Sequence, residues 1–538
     1  MDLTRSAPTS SLLTCSSGPN TAWTTVNISE AIPGVQVPLA WSLWSTAAER
    51  GLRRGFFDLG VLSRKELEAP DNADRRLTGV FFGNAAVNVD MFRELADRTP
   101  GSSGDAVERQ LFGSVRPGMT SHRTYRRYPT AILKTPLTIT RIRSRLLALR
   151  REVDPWWAAN TAPEVLADRQ GAAARFARGT EFFERAFTSH LAVRMLGQGM
   201  FDEVAKLAGV AGKPGLELEL VTGYGSFEEV AMIGDLLDVA HGQADLAMFI
   251  GKHGFHGPKE GDLRSCSWRE DPRPVERLAE SYRRREPADL ALAMAAQRDR
   301  RRRAEAELFA ALPRQARPKA RIVLRLARRL IPLGEVGKAS FLMAFDVLRA
   351  SARSHGRHLV DLGLLEEPDD IFMLTADEAF GRLPGEIDAV IASRRATIEE
   401  YETLRLPRQW VGQPVPDRSS VTGSGDDADI RGIAASPGVV TGTVRVIDDV
   451  AELADFEPGE VLVCKMTDPS WSSYMFVASA MVIDIGSAVS HGAILARELG
   501  VPCVTNTGDG TRRIPPGSRV QVDGGAGVVR ILQDGAGS

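Results

Sequence analysis

The sequence of 538 residues has little cysteine, little histidine and no long apolar run. Its four cysteines form neither a CxxC pair nor a zinc-type spacing, which favours a reduced, cytoplasmic protein. No run approaches the roughly 18 apolar residues of a membrane span, and the polar N-terminus has no signal-peptide core. With 67 basic and 69 acidic residues, the net charge of −2 gives no reason to expect binding to nucleic acid or to an anionic membrane.

The composition changes along the chain and predicts four parts. They are a polar tail (1–20), a mainly helical body (21–404), a linker rich in Pro, Gly, Ser and Asp (405–428), and a C-terminal domain (429–538). In the body, apolar residues recur three and four positions apart, the period of an amphipathic helix. Helices are predicted at 171–207, 226–250, 275–312 and 338–360.

The C-terminal part has a different period, because short β-branched runs alternate with two helical stretches. The strands are predicted at 442–447, 460–466, 480–485, 502–505 and 518–524, and the helices near 471–479 and 490–499. The sequence therefore predicts a multidomain α + α/β protein, with a large helical domain followed by a compact α/β domain of roughly 100 residues.

The histidine of chief interest is His491, in SAVSHGAILARELGVP (487–502). A strand ends near Gly486, Ser490 suits an N-cap, and a helix follows, so His491 falls in the first turn. Unpaired N–H groups and the helix dipole stabilise an anion there, and a neutral imidazole can attack phosphorus to form a phosphoramidate. A helix-start histidine without a role is the alternative.

The residues around His491 resemble the phosphohistidine signature of phosphoenolpyruvate-utilising enzymes, which include phosphoenolpyruvate synthase, pyruvate phosphate dikinase and rifampicin phosphotransferase. GIAASPGVVTGTVRV (432–446) resembles the start of that family's swivelling domain. TDPSW (467–471) and VDGGAGVVRIL (522–532) resemble its middle and its end. The resemblance implies a swivelling β/β/α domain in which His491 is phosphorylated during turnover.

Two further candidate site residues, Ser490 and Arg497, lie close to His491 in the sequence. Ser490, the predicted N-cap, is a candidate for phosphoryl binding. The resemblance implies that Arg497, the arginine of the ARE segment, supports either the phosphoryl group or the fold. One departure concerns the loop before the histidine. The family usually has a Thr and a Gly-Gly pair there, whereas this chain has IDIGS (483–487).

The helical body resembles the substrate domain of rifampicin phosphotransferase and its relatives. The similar segments are WTTVNISEAIPGVQVPLAWSLWS (23–45), GFHGPKEGDLRSCSWREDP (254–272) and LGLLEEPDDIFMLTADE (362–378). His256 stands where the second pattern has arginine, and we interpret it as a residue of the acceptor site. His253 and His256 lie three apart, but no acidic or cysteine partner follows at a fixed spacing, so no metal site is predicted.

IPLGEVGKASF (331–341) contains the second candidate site. It lacks the first glycine and the final Ser or Thr of a phosphate loop, and Pro332 instead suits a helix start. Glu335 and Lys338 then share a face, either as a surface ion pair or as catalytic groups. They match the RE..K pattern of the same substrate domain, which implies a carboxylate that takes a hydroxyl proton and a cation that stabilises the phosphoryl group. Upstream, Arg325 and Arg329 are weaker candidates for phosphoryl binding.

The resemblance also bears on what this chain would need from outside. Multidomain relatives carry an ATP-grasp domain that loads the histidine from ATP, and about 20 residues stand in its place here. We therefore expect no cofactor on this chain, ATP and Mg²⁺ on an ATP-grasp partner acting in trans, and a small-molecule or natural-product hydroxyl as acceptor.

Three alternatives stay open. A subunit resembling that of phenylphosphate synthase would differ only in taking a phenol. A non-catalytic phosphocarrier or regulatory subunit would accept phosphate without any acceptor turnover. ATP-independent chemistry on the helical domain would show activity without nucleotide or partner.

Overall fold

The computed structural model describes residues 12–26, 28–112, 115–224, 228–417, 429–447, 456–467, 471–486 and 490–532. The chain forms two compact units, and each is built from separate stretches of sequence. The first unit comprises Met1–Arg194, Gly261–Ser265 and Leu333–Ser419. The second unit comprises Met195–Glu260, Cys266–Pro332 and Ser420–Ser538.

Helices dominate the region before residue 404, as predicted. In chain order they are α1 (Ile28–Ala31), α2 (Pro38–Leu43), α3 (Glu49–Asp58), α4 (Val89–Asp97), α5 (Gly104–Phe112), α6 (Tyr128–Asn160), α7 (Pro163–Ala167), α8 (Ala172–Val210), α9 (Leu216–Leu220), α10 (Glu228–Ala240), α11 (Leu246–His253), α12 (Arg273–Tyr282), α13 (Pro287–Ala311), α14 (Arg317–Leu330), α15 (Leu333–Asp361), α16 (Ala376–Phe380), α17 (Ile387–Glu402), α18 (Ser472–Met475), α19 (His491–Leu499) and α20 (Gly510–Arg513). One π-helical turn, Trp44–Ala48, joins α2 to α3.

The strands form one sheet in each unit. In chain order they are β1 (Ala22–Thr24), β2 (Thr78–Phe81), β3 (Asn84–Asn88), β4 (Gln409–Val411), β5 (Ile430–Arg431), β6 (Ile433–Ser436), β7 (Val439–Ile447), β8 (Val461–Cys464), β9 (Ala480–Ile483), β10 (Cys503–Thr505), β11 (Arg519–Asp523) and β12 (Val528–Leu532).

Helix α15 is the central element of the first unit. It begins directly after Pro332, whose fixed φ and missing N–H suit a helix start. The residues predicted to lie on one buried side are all buried, and they are Phe341, Leu342, Phe345, Leu348 and Ala352. This burial places the middle of α15 in the core of the first unit.

The four-stranded sheet of the first unit has the order β2-β3-β1-β4, with antiparallel neighbours. Trp23 pairs with Asn88 on one side and with Trp410 on the other, and its ring packs edge-on against Phe81. The sequence predicted no strand here. β4 lies inside the predicted linker 405–428, so residues 405–417 are part of the first unit, while the rest of that linker lies outside the described residues.

The predicted tail also contributes to the first unit. Leu13 is fully buried, its carbonyl accepts from Gly83 N–H (2.8 Å), and Cys15 N–H donates to the carbonyl of Val80 (2.8 Å). Residues 13–15 are therefore packed rather than loose, because a buried leucine and backbone hydrogen bonds fix them. Residues 1–11 of the predicted tail lie outside the described residues.

The second unit carries an eight-stranded sheet with the order β5-β12-β11-β7-β8-β9-β10-β6. The central strands β7, β8, β9 and β10 are parallel, and the outer pairings are antiparallel. Helix α19 connects β9 to β10, so its start lies beyond the carboxyl end of β9. Ligands of parallel sheets commonly bind at this edge.

One hydrophobic core in the second unit joins the C-terminal sheet to helices α10–α13. Its members include Leu236 and Tyr282 from the helices and Phe476, Met481 and Leu499 from the C-terminal domain. The Arg285 guanidinium also donates to the carbonyl of Val477 (3.1 Å). Residues 195–260 and 266–332, predicted to belong to the helical body, thus pack with the C-terminal domain.

The predicted fold class is confirmed: a mainly helical body precedes a C-terminal α/β domain. Within the part of the chain that the structure describes, no helix is both long enough and apolar enough to cross a bilayer.

Candidate functional site

His491 is the first residue of α19, and Ser490 occupies the N-cap position, as predicted. The side chain of His491 and residues 487–489 lie outside the described part of the structure. Ser490 has the extended backbone of an N-cap (φ −65°, ψ 161°), but its hydroxyl makes no capping hydrogen bond. Instead, its Oγ lies 3.1 Å from the point that a Cβ on Gly486 would occupy.

Glycines let the surrounding hydroxyl groups approach the start of α19 closely. A Cβ on Gly486 would lie 2.3 Å from Thr505 Oγ1. A Cβ on Gly492 would lie 2.6 Å from Thr467 Oγ1 and 2.9 Å from Ile483 Cδ1. The helix start is therefore packed against small polar groups and one aliphatic side chain, with no room for a larger residue at either glycine.

Asp484, in the IDIGS segment, is held by hydrogen bonds. Asp484 is buried and accepts from the Thr507 hydroxyl (2.7 Å) and from the backbone N–H of Thr511 (3.2 Å). These hydrogen bonds tie the end of β9 to the segment that follows β10.

Arg497, on α19, is packed into the second unit. Its guanidinium is buried and donates to the carbonyl of Ala435 (2.7 Å). Burial lowers the pKa of Arg497 to about 10, and the nearby Cys503 and Glu498 partly oppose this effect. Of the two roles that the sequence left open for Arg497, the geometry favours support of the fold.

Glu335 and Lys338 lie together in the first turns of α15, in the first unit. Glu335 is buried, with 6% of its surface exposed, whereas Lys338 is half-buried. Residues three apart on a helix are neighbours on its surface, so a carboxylate and an ammonium group face the same region. This is the arrangement predicted for a proton acceptor beside a phosphoryl-stabilising cation.

The sequence reasoning missed His190, on α8, which contacts the same helix start. Its Nδ1 lies 3.0 Å from the carbonyl oxygen of Gly334. A carbonyl only accepts, so Nδ1 carries the proton. Burial, then the charge of Arg194 and that of Lys338, lowers the pKa of His190 to about 3, so the ring is neutral at pH 7. Spacing alone gave no signal for His190, because its partner is a backbone carbonyl 144 residues away.

His256 lies in the second unit and is tied into a buried pair. Its Nδ1 contacts the carboxylate of Glu260, and both residues are buried. The His256 ring also lies 5.7 Å from that of Trp268, a member of the unit's core. His253 is bound separately, by Asp235 through Nε2 (2.6 Å). No group of three or more His, Cys, Asp or Glu suited to a metal ion occurs among the described residues.

Arg325 and Arg329 are exposed on α14, which belongs to the second unit, whereas Glu335 and Lys338 belong to the first. The roles predicted for these two arginines, for His256 and for Ser490 therefore stay predictions.

Comparison with known proteins gives two family matches. Residues 456–527 match the family model of the PEP-utilising enzyme mobile domain, which contains His491. Residues 164–335 match the family model of the rifampicin phosphotransferase fourth domain. This matched segment contains His190 and ends at Glu335.

Individual relatives agree with these matches. An uncharacterised protein of Mycobacterium tuberculosis is 33% identical over 282 residues, covering 52% of this chain and 30% of that protein. Rifampicin phosphotransferase of Streptomyces sviceus is 33% identical over 212 residues, covering 38% of this chain and 24% of the enzyme. Phosphoenolpyruvate synthase of Aeropyrum pernix is 54% identical over 101 residues, covering 19% of this chain and 12% of the enzyme.

The chain thus spans less than a third of the length of each of these three relatives. The predicted resemblance is confirmed: this chain carries a mobile domain of the phosphoenolpyruvate-utilising enzymes and a helical domain of the rifampicin phosphotransferase type.

Proposed function

We propose that this chain is the phosphohistidine and acceptor component of an ATP-dependent phosphotransferase. The observation that carries the proposal is the position of His491 as the first residue of α19, inside the segment that matches the mobile domain. An imidazole at a helix start can hold a phosphoryl group close to unpaired backbone N–H groups.

The transfer step follows from the residues at the start of α15. The hydroxyl oxygen of the acceptor attacks phosphorus, the P–N bond to His491 breaks, and an O–P bond forms. Glu335 takes the hydroxyl proton, and the departing imidazole regains a proton from solvent, so that it leaves neutral. Lys338 stabilises the negative charge on the phosphoryl oxygens during transfer.

The source of the phosphoryl group is an ATP-grasp protein acting in trans, which binds ATP and Mg²⁺. The second unit, in which the C-terminal domain shares a core with helices α10–α13, then carries the phosphoryl group to the acceptor by a domain movement. The acceptor is a hydroxyl group of a small or natural-product molecule, and the rifampicin phosphotransferase relative makes rifampicin the first compound to test. Phosphorylation either ends the reaction or activates the oxygen for elimination.

The test is phosphorylation of the purified chain by an ATP-grasp protein with phosphate-labelled ATP. We expect acid-labile, alkali-stable label on the peptide that contains His491, and none in His491→Ala. The control variant is His241→Ala, whose wild-type ring is bound to the carbonyl of Arg285 in an exposed position. Equal labelling of His491→Ala and wild type would refute the assignment. Labelling without transfer to any hydroxyl compound would favour the phosphocarrier alternative.

A further inference from the structure

Helix α15 presents two glycines, three residues apart, to helix α8. A Cβ on Gly337 would lie 2.9 Å from the Cα of His190. A Cβ on Gly334 would lie 3.1 Å from Cδ of Arg194 and 3.6 Å from its Nη1. Arg194 therefore lies across the bare first turn of α15, in space that a side chain at residue 334 would need.

Arg194 and Lys338 bring two positive charges to this turn. Both charges act on the His190 ring, whose Nδ1–H is bound to Gly334. Arg194 is half-buried, and among the described residues it has no hydrogen bond or ion pair from its guanidinium. Helices α8 and α15 thus hold together two cations, a neutral imidazole and, one residue after Gly334, the carboxylate of Glu335.

The sequence of α15 explains why a second helix would supply a cation here. Glu335 and Lys338 match the last two positions of the RE..K pattern, but the position before Glu335 is Gly334 and has no side chain. Arg194 lies one helical turn after His190 on α8, so both side chains face α15. Its Cδ and Nη1 lie against the space that the glycine leaves.

We propose that Arg194 binds the phosphoryl group beside Lys338 at the acceptor site, in place of a side chain that Gly334 lacks. This inference rests on the proposed function, because it assigns the Glu335–Lys338 face to phosphoryl transfer. A guanidinium offers a planar fork of N–H donors that suits two phosphoryl oxygens, and it complements the single point charge of Lys338. Arg194 thereby positions the phosphoryl group for attack by the hydroxyl that Glu335 deprotonates.

The first experiment measures binding of inorganic phosphate to the whole chain, with the His190 ring resonances followed by NMR as the local reporter. We expect Arg194→Ala to weaken this binding about tenfold, because one of two cations is lost. Arg185→Ala is the matched control on the same helix, since Arg185 is half exposed and pairs with Glu152 (2.7 Å). We expect phosphate to bind to this control as to the wild type. Phosphate affinity unchanged in Arg194→Ala would overturn the inference.

The same spectra test the geometry without any ligand. Removing Arg194 must raise the pKa of His190, because the positive charge that disfavours the imidazolium is gone. An unchanged His190 pKa in Arg194→Ala would place the guanidinium away from the helix start and contradict the inference.

An exchange of side chains between residues 194 and 334 then tests whether an arginine must occupy this particular space. Gly334→Arg alone crowds Arg194, so we expect weaker phosphate binding or a lower melting temperature. Arg194→Ala combined with Gly334→Arg returns one arginine to the same space, and we expect it to regain most of the lost phosphate affinity. If the double variant binds phosphate no better than Arg194→Ala, the guanidinium does not act through this space, and the inference fails.

Failure of the inference is distinguishable from failure of the proposed function. If phospho-His491 forms and Arg194→Ala transfers it to a hydroxyl at the wild-type rate, Arg194 has no role although the function stands. If His491 never accepts phosphate, the function fails, and Arg194-dependent phosphate binding then describes an anion site of another purpose.

Discussion

Two helix starts carry the predicted chemistry, and their surroundings differ. At the start of α15, four ionisable side chains converge: Glu335, Lys338, His190 and Arg194. At the start of α19, the contacts described at Gly486 and Gly492 are hydroxyl groups and one isoleucine. The arginine of α19, Arg497, is buried and bound to a backbone carbonyl.

Under the proposed function, this difference fits a division of labour between a phosphoryl donor at α19 and an acceptor site at α15. A carrier that bound its phosphoryl group through several cations would stabilise the phosphorylated state and so slow its release. Interactions that accelerate transfer must be stronger in the transition state than in the donor complex, and they belong where the charge moves. Under the proposed function, the cations of α15 lie where this charge moves.

The largest expected effect comes from removing the proposed proton acceptor, Glu335, at the start of α15. Glu335→Gln keeps the size of a mostly buried side chain but cannot take the hydroxyl proton. We expect transfer from isolated phospho-His491 protein to a hydroxyl compound to fall by about 10²- to 10⁴-fold, the usual contribution of a general base. The measurement is single-turnover loss of the phosphohistidine.

Glu152→Gln is the control for this prediction, because Glu152 is an exposed carboxylate of the same unit that pairs with Arg185. If Glu335→Gln transfers phosphate within twofold of the wild type, the charged helix start is not the acceptor site, and the comparison between the two starts loses its meaning.

The sequence predicted the start of α19 better than the surroundings of the start of α15, for a physical reason. Helix α19, Ser490 at its N-cap and the strand before it follow from local periodicity and capping. His190 and Arg194 act on α15 through tertiary packing, which leaves no local signal. The same limit hid the sheet β2-β3-β1-β4, whose strands come from both ends of the first unit, so that nothing local marked β1 or β4.

The carboxyl end of α19, where Glu498 lies, gives the next prediction. Glu498 is buried and accepts from the backbone N–H of Gly223 (2.9 Å). Burial raises the pKa of Glu498 from 4.5 to about 7, although the Gly223 hydrogen bond and the charges of Arg497 and Arg301 oppose it. The folded state thus holds a proton that the unfolded state releases, so stability is lost as pH rises from 4.5 towards 7.

Glu498→Gln should remove this slope, because the amide stays neutral and its oxygen still accepts from Gly223. We expect the variant to match the wild type near pH 4.5 and to exceed it at pH 8 by on the order of 3 kcal/mol in free energy of unfolding. Urea titrations at both pH values give the difference. Glu457→Gln, at an exposed carboxylate, is the control. Parallel pH profiles for Glu498→Gln and wild type would show that this carboxylate titrates normally.

The smallest expected effect tests the tight packing at the donor helix start. Gly492→Ala would place a Cβ 2.6 Å from Thr467 Oγ1, so that Thr467 or Ile483 must move. We expect a loss of about 1–2 kcal/mol in free energy of unfolding, since overpacking outweighs the helix propensity of alanine.

Gly251→Ala is the matched control, because Gly251 lies inside α11 with nothing within 4 Å of its Cβ position. That change should stabilise the protein by about 0.5–1 kcal/mol. Equal stabilisation by both substitutions would mean that the start of α19 is open. The close packing of hydroxyl groups, by which the start of α19 differs from that of α15, would then not exist.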